Sequence, residues 1–207
     1  MKSEQRDNGR DFALTTKTVC MRKLVFQEFI SLDGYASDKH NSTTFFEDAK
    51  FSEVSDGDLL EEMQRFDAII LGANTYRMFV EYWPGVDTKE QIVADKLNSI
   101  PKFVFSNTIQ TAPWGKWAPA NVVSGEAVHA LRRMKKEPGM DMVLWGSISL
   151  AQNLMKANII DEYHFRIVPV ILGGGTLLFG EREQLDLELV KTKAYPSGLL
   201  LAEYRPA

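Results

Sequence analysis

Residues 67–75 read DAIILGANT, and this stretch decides the fold class. Residues 68–71 form a short apolar run of the kind found in a fully buried strand, and Gly72 ends it. A helix is predicted directly afterwards, over residues 74–81. A buried strand that passes through a glycine into a helix is typical of an α/β domain with a largely parallel sheet.

The same unit recurs on both sides of this stretch. The other predicted strands cover residues 23–30, 102–106, 141–145 and 162–172, with 122–123 as a further short one, and the other predicted helices cover 51–66, 88–98, 126–136 and 149–157. Residues 185–194 and 199–204 alternate between apolar and polar residues on either side of a turn at Pro196-Ser197-Gly198. We therefore expect an α/β domain with a mostly parallel central sheet, flanking helices and a C-terminal antiparallel hairpin.

Composition narrows the possible function classes. The 207 residues carry a net charge of −4 at pH 7, and 44% are hydrophobic, as in one soluble globular domain. The single cysteine excludes an internal disulfide and a multi-cysteine zinc site, and the three histidines lie in separate segments, so we expect chemistry without a metal. The weak basic content argues against nucleic-acid binding, and no apolar stretch suits a membrane span or signal peptide. These patterns predict a cytoplasmic protein.

The first 20 residues differ from the rest of the chain because they are polar and aperiodic. We interpret residues 1–20 as a disordered or expression-derived arm. The folded domain is then expected over residues 21–207.

Small residues follow three predicted strands and suit a bound phosphate. They are Gly72, Ala73, Asn74 and Thr75 after the first, Ser106 and Asn107 after the second, and Gly146, Ser147, Ile148 and Ser149 after the third. Strand carboxyl ends line the ligand crevice of open α/β sheets, and free amides at a helix N-terminus bind anions. Glycines at these positions also suit tight packing, so a nucleotide site and a structural role both stay open. Neither G-x-G-x-x-G nor a P-loop motif is present.

Polar residues in the first predicted strand mark a second candidate region. Alternation places Gln27 with Phe29 on one face and Glu28 on the other. Either one polar side chain faces a pocket, or the strand is half-exposed. Trp83, after the helix predicted over residues 74–81, offers a ring that could stack on a heterocycle or pack in the core.

Three carboxylates are candidate general acids. Asp33 lies in the turn after the first strand and could instead form that turn through its side chain. Asp56 and Asp58 lie near the start of a predicted helix, where carboxylates also favour the helix dipole. A general acid would need its pKa raised by an apolar environment.

Five segments together carry a resemblance to a known family. They are residues 31–34 (SLDG), 67–75 (DAIILGANT), 101–107 (PKFVFSN), 143–150 (VLWGSISL) and 160–175 (IDEYHFRIVPVILGGG). In this order the chain resembles, from residue 21 to about 206, the C-terminal reductase domain of the bifunctional riboflavin-biosynthesis deaminase-reductase, which has a dihydrofolate reductase-like three-layer fold. The H-x-E and P-C-x-x-C zinc signature of the deaminase half is missing.

This resemblance implies a stand-alone NAD(P)H-dependent reductase that transfers hydride to a pyrimidine or pteridine. Its nearest counterpart would be 5-amino-6-(5-phosphoribosylamino)uracil reductase. The alternatives are a dihydrofolate reductase proper and a nucleotide-binding homodimer without catalysis. Pairing as a homodimer is also implied.

By position, the resemblance distributes roles over the candidate residues. Cofactor phosphate would lie at Gly72 to Thr75, the adenosine at Ser106 and Asn107, and the pyrophosphate and nicotinamide ribose at Gly146 to Ile148. Gln27, Phe29, Asp33 and the helix with Asp56 and Asp58 would face the substrate. NADPH is expected, but NADH stays open because Ala73 and Asn74 replace the basic residue usual in dihydrofolate reductases, leaving Arg77 or Lys102 to bind a 2′-phosphate.

Overall fold

The computed structural model describes residues 21–181 and 184–207, so the predicted arm over residues 1–20 lies outside the described residues. The α-helices are α1 (Ala49–Glu62), α2 (Ala73–Tyr82), α3 (Ala94–Ser99), α4 (Ala127–Met134) and α5 (Ile148–Lys156). The strands are β1 (Leu24–Ser31), β2 (Tyr35–Ser37), β3 (Phe66–Gly72), β4 (Lys102–Phe105), β5 (Ala112–Trp114), β6 (Trp117–Val123), β7 (Asp141–Trp145), β8 (Glu162–Val168), β9 (Thr176–Leu177), β10 (Leu187–Ala194) and β11 (Leu200–Pro206).

Within the described ranges, nine strands form the central sheet in the order β10-β11-β8-β1-β7-β3-β4-β6-β5. The six strands from β8 to β6 in this order are parallel. The outer strands β11, β10 and β5 pair in antiparallel fashion. The mostly parallel sheet and the C-terminal antiparallel hairpin are therefore confirmed.

Helices cover both faces of the sheet, because apolar side chains of its central strands point alternately to each side. On one face, Leu24 and Phe26 of β1 share a core with Leu131 of α4 and Leu154 of α5. On the other face, Val25 belongs to a core that α2 and α3 complete. Helix α1 lies over a further cluster on this second face, which contains Phe51, Val168 and Leu201.

Several predicted boundaries are wrong for identifiable reasons. The helix predicted over residues 88–98 is reduced to α3. The amides of Lys89, Glu90 and Gln91 instead donate hydrogen bonds to Asp87 and form turns. The strand predicted over residues 162–172 ends at Val168, directly before Pro169, which has no N–H for the ladder. Strand β5 was not predicted, since Pro113 lies in its middle, which an edge strand tolerates.

Candidate functional site

Two strand-to-helix turns lie side by side at the carboxyl edge of the sheet. Strands β3 and β7 are parallel neighbours, and Ile70 pairs with Leu144 near their ends. Helix α2 begins immediately after Gly72, and α5 begins after Gly146 and Ser147. The sheet topology therefore brings together two of the three phosphate-binding segments predicted from the sequence.

The Ser147 side chain joins these two turns. Its Oγ accepts a hydrogen bond from the backbone N–H of Gly72 at 2.7 Å and donates one to the carbonyl of Trp145 at 3.0 Å. The backbone N–H of Ser147 in turn donates to Oγ1 of Thr75 at 2.9 Å. Ser147 holds this position with φ of 59°, in the left-handed region that is unfavourable for residues with a side chain. The two turns are thus fixed to each other.

The two turns approach each other closely at both glycines. A Cβ on Gly72 would lie 3.3 Å from the Cβ and Oγ of Ser147, which is a tight contact. A Cβ on Gly146 would lie 3.1 Å from Thr75, and Gly146 also has a φ of 55°. The packing role that the sequence left open is therefore present, and it keeps the backbone of both turns free of side chains.

The N-termini of α2 and α5 differ from those of α1 and α4 in how their amides are satisfied. Asp48 caps α1 by accepting from the N–H of Lys50, and Glu126 caps α4 by accepting from the N–H groups of Val128 and His129. No side chain caps α2 or α5. Their first-turn amides are therefore available to an anion, which the helix dipoles would also attract.

The third predicted segment lies at the same edge of the sheet but has a different local structure. No helix begins directly after β4, because Oγ of Ser106 accepts from the amides of Thr108 and Ile109 and forms a turn. Oδ1 of Asn107 accepts from the N–H of Gly125 at 2.7 Å. Ser106 and Asn107 therefore form part of a loop next to β3, the strand that leads into α2, and they do not form a helix N-terminus.

Gln27 and Glu28 occupy opposite faces of β1, as alternation predicts, but in different surroundings. Gln27 is only 3% exposed, and its Oε1 accepts from the indole Nε1 of Trp145 at 2.6 Å. Glu28 is partly exposed, and its Oε2 lies 3.8 Å from the position of a Cβ on Gly146. The more open polar group of the pair is thus Glu28, whereas Gln27 is enclosed.

The Glu28 carboxyl ionises less readily than an ordinary glutamate. Desolvation of this carboxyl raises its pKa to about 8. A hydrogen bond from the N–H of Phe29 to Oε1, at 2.9 Å, offsets only part of this effect. Glu28 was not among the site residues predicted from the sequence. The signal lies in the register: β7 ends at Trp145, opposite Gln27, so Glu28 passes beyond the strand and reaches the turn at Gly146.

Two of the three predicted acids do not have the properties of proton donors. The Asp33 carboxylate accepts hydrogen bonds from the hydroxyl of Ser31 and from the amides of Leu172 and Gly173. These bonds lower the pKa of Asp33, and the bond from Ser31 has the largest effect. Asp33 therefore joins the turn after β1 to the glycine-rich segment after β8.

Asp58 is similarly engaged. Its Oδ2 accepts from Nζ of Lys193 and from the hydroxyl of Tyr195, both at 2.5 Å, and both bonds lower its pKa. Asp58 therefore fastens α1 to the C-terminal hairpin.

Asp56 has the environment of a general acid. It is partly buried, and burial raises its pKa to about 6, while the positive charge of Arg166 limits the rise. Among the described residues, none forms a hydrogen bond or ion pair with its carboxylate. The structure thus distinguishes Asp56 from Asp33 and Asp58, which the sequence could not.

Trp83 and Phe29, the two aromatic residues predicted to meet the substrate, lie in different surroundings. Trp83 packs against Phe79 and Tyr82, and its carbonyl accepts from the side chain of Asn98. Phe29 instead stacks on Phe46, with ring centroids 4.6 Å apart and planes 18° apart. Phe46 comes from the loop between β2 and α1, and its pairing with Phe29 could not be read from the sequence.

The two basic residues proposed for a 2′-phosphate also separate. Lys102 is 2% exposed at the start of β4, where its Nζ donates to the carbonyl of Asn98. It lies at the amino end of its strand, opposite the candidate edge, so that prediction is wrong. Arg77 is exposed on α2 and donates to Oδ1 of Asn74 at 2.9 Å, within the predicted phosphate-binding turn.

Comparisons with known proteins agree with this architecture. The family model of the RibD C-terminal domain matches residues 22–201. The chain belongs to the RibD C-terminal domain family. One curated relative is YyaP, an uncharacterised protein from Bacillus subtilis. It is 24% identical to this chain, and the match covers 91% of this chain and 97% of YyaP.

Solved structures support the same placement. A protein assigned provisionally to riboflavin biosynthesis, from Shewanella sp. PV-4, is 26% identical over 89% of this chain and 99% of its own, with a TM-score of 0.71. Dihydrofolate reductase from Enterococcus faecalis, complexed with NADP(H) and an inhibitor, is 12% identical over 89% of this chain and 96% of its own, with a TM-score of 0.56. The dihydrofolate reductase-like fold is therefore confirmed. Membership of this family supports an oxidoreductase of the type found in riboflavin biosynthesis.

Two further features are absent from the described ranges. Residues 21–181 and 184–207 contain no group of three potential metal ligands among their His, Cys, Asp and Glu side chains. No described helix has the length and hydropathy needed to cross a membrane.

Proposed function

We propose that this RibD C-terminal domain protein is an NAD(P)H-dependent reductase that transfers hydride to a pyrimidine or pteridine. The nearest activity is that of 5-amino-6-(5-phosphoribosylamino)uracil reductase. The observation that carries the proposal is the pair of uncapped helix N-termini, α2 and α5, joined by Ser147 at the carboxyl edge. Two adjacent anion sites suit a dinucleotide, which carries two linked phosphates.

The residues at this edge fit such a cofactor. The turn from Gly72 to Thr75 would hold phosphate, and the turn from Gly146 to Ser149 would hold the pyrophosphate and nicotinamide ribose. Ser106 and Asn107 would flank the adenosine. Arg77 would contact a 2′-phosphate, which favours NADPH over NADH. When bound, the cofactor supplies a hydride equivalent from its reduced nicotinamide.

Glu28 and Asp56 would have different tasks on the two faces of β1. A neutral Glu28 adds no negative charge beside the N-terminus of α5, so it does not repel phosphate there. Asp56 would donate the proton that accompanies hydride transfer, because its pKa of about 6 keeps a usable protonated fraction near neutral pH. Phe29 and Phe46 would pack against the flat substrate and exclude water.

Thermal unfolding with and without each nicotinamide nucleotide tests the cofactor assignment. A nucleotide at 100 times its dissociation constant should stabilise the protein by about 2.7 kcal/mol, or a Tm shift of roughly 5–10 °C for a chain of this size. Arg77→Met is the matched variant: it should weaken the shift with NADPH and leave the shift with NADH unchanged. The absence of a shift with both nucleotides at millimolar concentration would contradict the proposal.

Turnover then separates the alternatives. Oxidation of NADPH that depends on a pyrimidine substrate would support the reductase, and turnover of dihydrofolate would favour a dihydrofolate reductase proper. Nucleotide binding without substrate-dependent oxidation would favour a nucleotide-binding protein without catalysis. The homodimer and the cytoplasmic location stay predictions, and sedimentation at micromolar concentration tests the former.

A further inference from the structure

Arg166 is a buried cation with unsatisfied N–H donors among the described residues. It is 3% exposed on β8, where it pairs with Phe29 on one side and Leu201 on the other. Its Nε and Nη2 are buried, and neither has a hydrogen-bond partner among the described residues. Burying guanidinium N–H groups without acceptors is unfavourable, so such a group calls for an explanation.

The carboxylates near Arg166 are engaged elsewhere or stand apart from it. Glu62 lies 2.6 Å from Nδ1 of His164, and Asp58 binds Lys193 and Tyr195. The positive charge of Arg166 lowers the pKa of Asp56, but the two side chains form no ion pair within 4.0 Å. Arg166 therefore has no ion pair with a carboxylate in the described part of the chain.

The surroundings of Arg166 favour a flat ligand. The guanidinium carbon lies 5.7 Å from the ring centroid of Phe29, which itself stacks on Phe46. Phe29 is partly exposed, so a ligand that packs on its ring would lie close to the guanidinium. Unsatisfied N–H donors at Arg166 beside an aromatic wall match a flat heterocycle that carries a carbonyl oxygen at its edge.

We propose that Arg166 binds an exocyclic oxygen of the substrate and thereby selects oxo-substituted heterocycles over their amino-substituted analogues. This inference rests on the proposed function and adds to it the group that the site recognises. An oxygen accepts from the guanidinium N–H groups, whereas an amino group would oppose donors to donors and leave Arg166 unsatisfied. Arg166 is thus assigned as a specificity residue rather than a structural one.

Binding by the NADPH-loaded enzyme tests the selectivity. The probes are 5,6-diaminouracil, which carries two oxo groups, and 2,4,5,6-tetraaminopyrimidine, which carries amino groups in their place. The native protein should prefer the uracil on the order of 10- to 100-fold, as expected for a hydrogen bond to a charged group. Arg166→Met should abolish the preference, and Arg166→Lys should keep part of it because the charge stays but the fork of donors is lost.

A matched control uses another cation on the same face of the sheet. Lys193 pairs with Leu201, which in turn pairs with Arg166, but its Nζ is bound to Asp58. Lys193→Met should therefore leave the preference for the uracil unchanged. An equal loss of preference in Lys193→Met would overturn the inference, because general positive charge would then explain the selectivity.

Thermal unfolding of the ligand-free variants separates recognition from structure. If the guanidinium awaits a ligand, Arg166→Met removes a buried unsatisfied charge, and its Tm should equal or exceed that of the native protein. A clear fall in Tm for both Arg166→Met and Arg166→Lys would show a structural role and overturn the inference. A native protein that binds NADPH but does not prefer the uracil would also overturn it while leaving the proposed function intact. A protein that does not bind NADPH would contradict the proposed function itself.

Discussion

Replacing Ser147 with alanine should loosen the two turns at the carboxyl edge. The change removes the acceptor of the Gly72 N–H, at 2.7 Å, and the donor to the Trp145 carbonyl, at 3.0 Å. Two net hydrogen bonds of about 1 kcal/mol each predict a loss of about 2 kcal/mol in the free energy of unfolding. In a chain of this size, that corresponds to a fall in Tm of roughly 4–8 °C.

Ser147→Gly provides the matched comparison. It removes the same hydroxyl, but glycine relieves the left-handed backbone at φ of 59°, which costs an L-residue roughly 1–2 kcal/mol. Ser147→Gly should therefore unfold at a higher temperature than Ser147→Ala. Calorimetry with and without NADPH measures both stabilities, and both variants should bind the nucleotide more weakly than the native protein.

Two results would refute this reasoning. If Ser147→Ala unfolds at the native temperature, the hydroxyl does not hold the turns together. If the alanine and glycine variants unfold at the same temperature, the left-handed backbone at this position is not strained.

Three further predictions concern carboxyl groups. Because the pKa of Glu28 is raised to about 8, its ionisation should weaken NADPH binding as the pH rises from 7 to 9. Fluorescence titration of Glu28→Gln should show no such decline. A parallel decline in this variant would exclude Glu28 as the cause. If Asp56 donates the proton, turnover should fall as the pH rises through the Asp56 pKa of about 6. Asp56→Asn should lower kcat on the order of 100-fold and remove this part of the pH profile. An unchanged kcat would leave water as the proton donor. Asp33 has a lowered pKa, so its stabilising bonds are present above its ordinary pKa of 3.8 and are lost as the pH falls through the lower folded value. Asp33→Asn should therefore lower Tm at pH 7 by more than at pH 3, whereas an equal effect at both would show that charge does not matter there.

Local sequence patterns predicted the parallel part of the fold well. Strands β3 and β7 are buried on both faces, so they read as continuous apolar runs, and a glycine marks the point where each chain segment turns into a helix. Boundaries set by other interactions were less predictable. The turns around Asp87 shorten α3, and only sheet pairing makes the proline-containing segment β5 a strand.

The candidate site was predicted only in part. The segments at Gly72 and Gly146 were identified because glycine and small polar residues at a strand end have a local physical meaning. Asp33, Asp56 and Asp58 could not be ranked, since a carboxylate's pKa depends on donors and burial supplied by distant segments. Asp58 receives its donors from the C-terminal hairpin, more than 100 residues away in the chain.

The sequence by itself determined the fold class, the family resemblance and the glycine-marked strand ends, because these depend on short-range periodicity and on backbone freedom at single residues. Only the tertiary structure decided which turns adjoin, which acid keeps a raised pKa, and that two buried N–H groups of Arg166 have no hydrogen-bond partner among the described residues. Each of these properties is a sum of contacts between residues far apart in the chain. The order of strands in the sheet, with β7 placed between β1 and β3, brings those residues together.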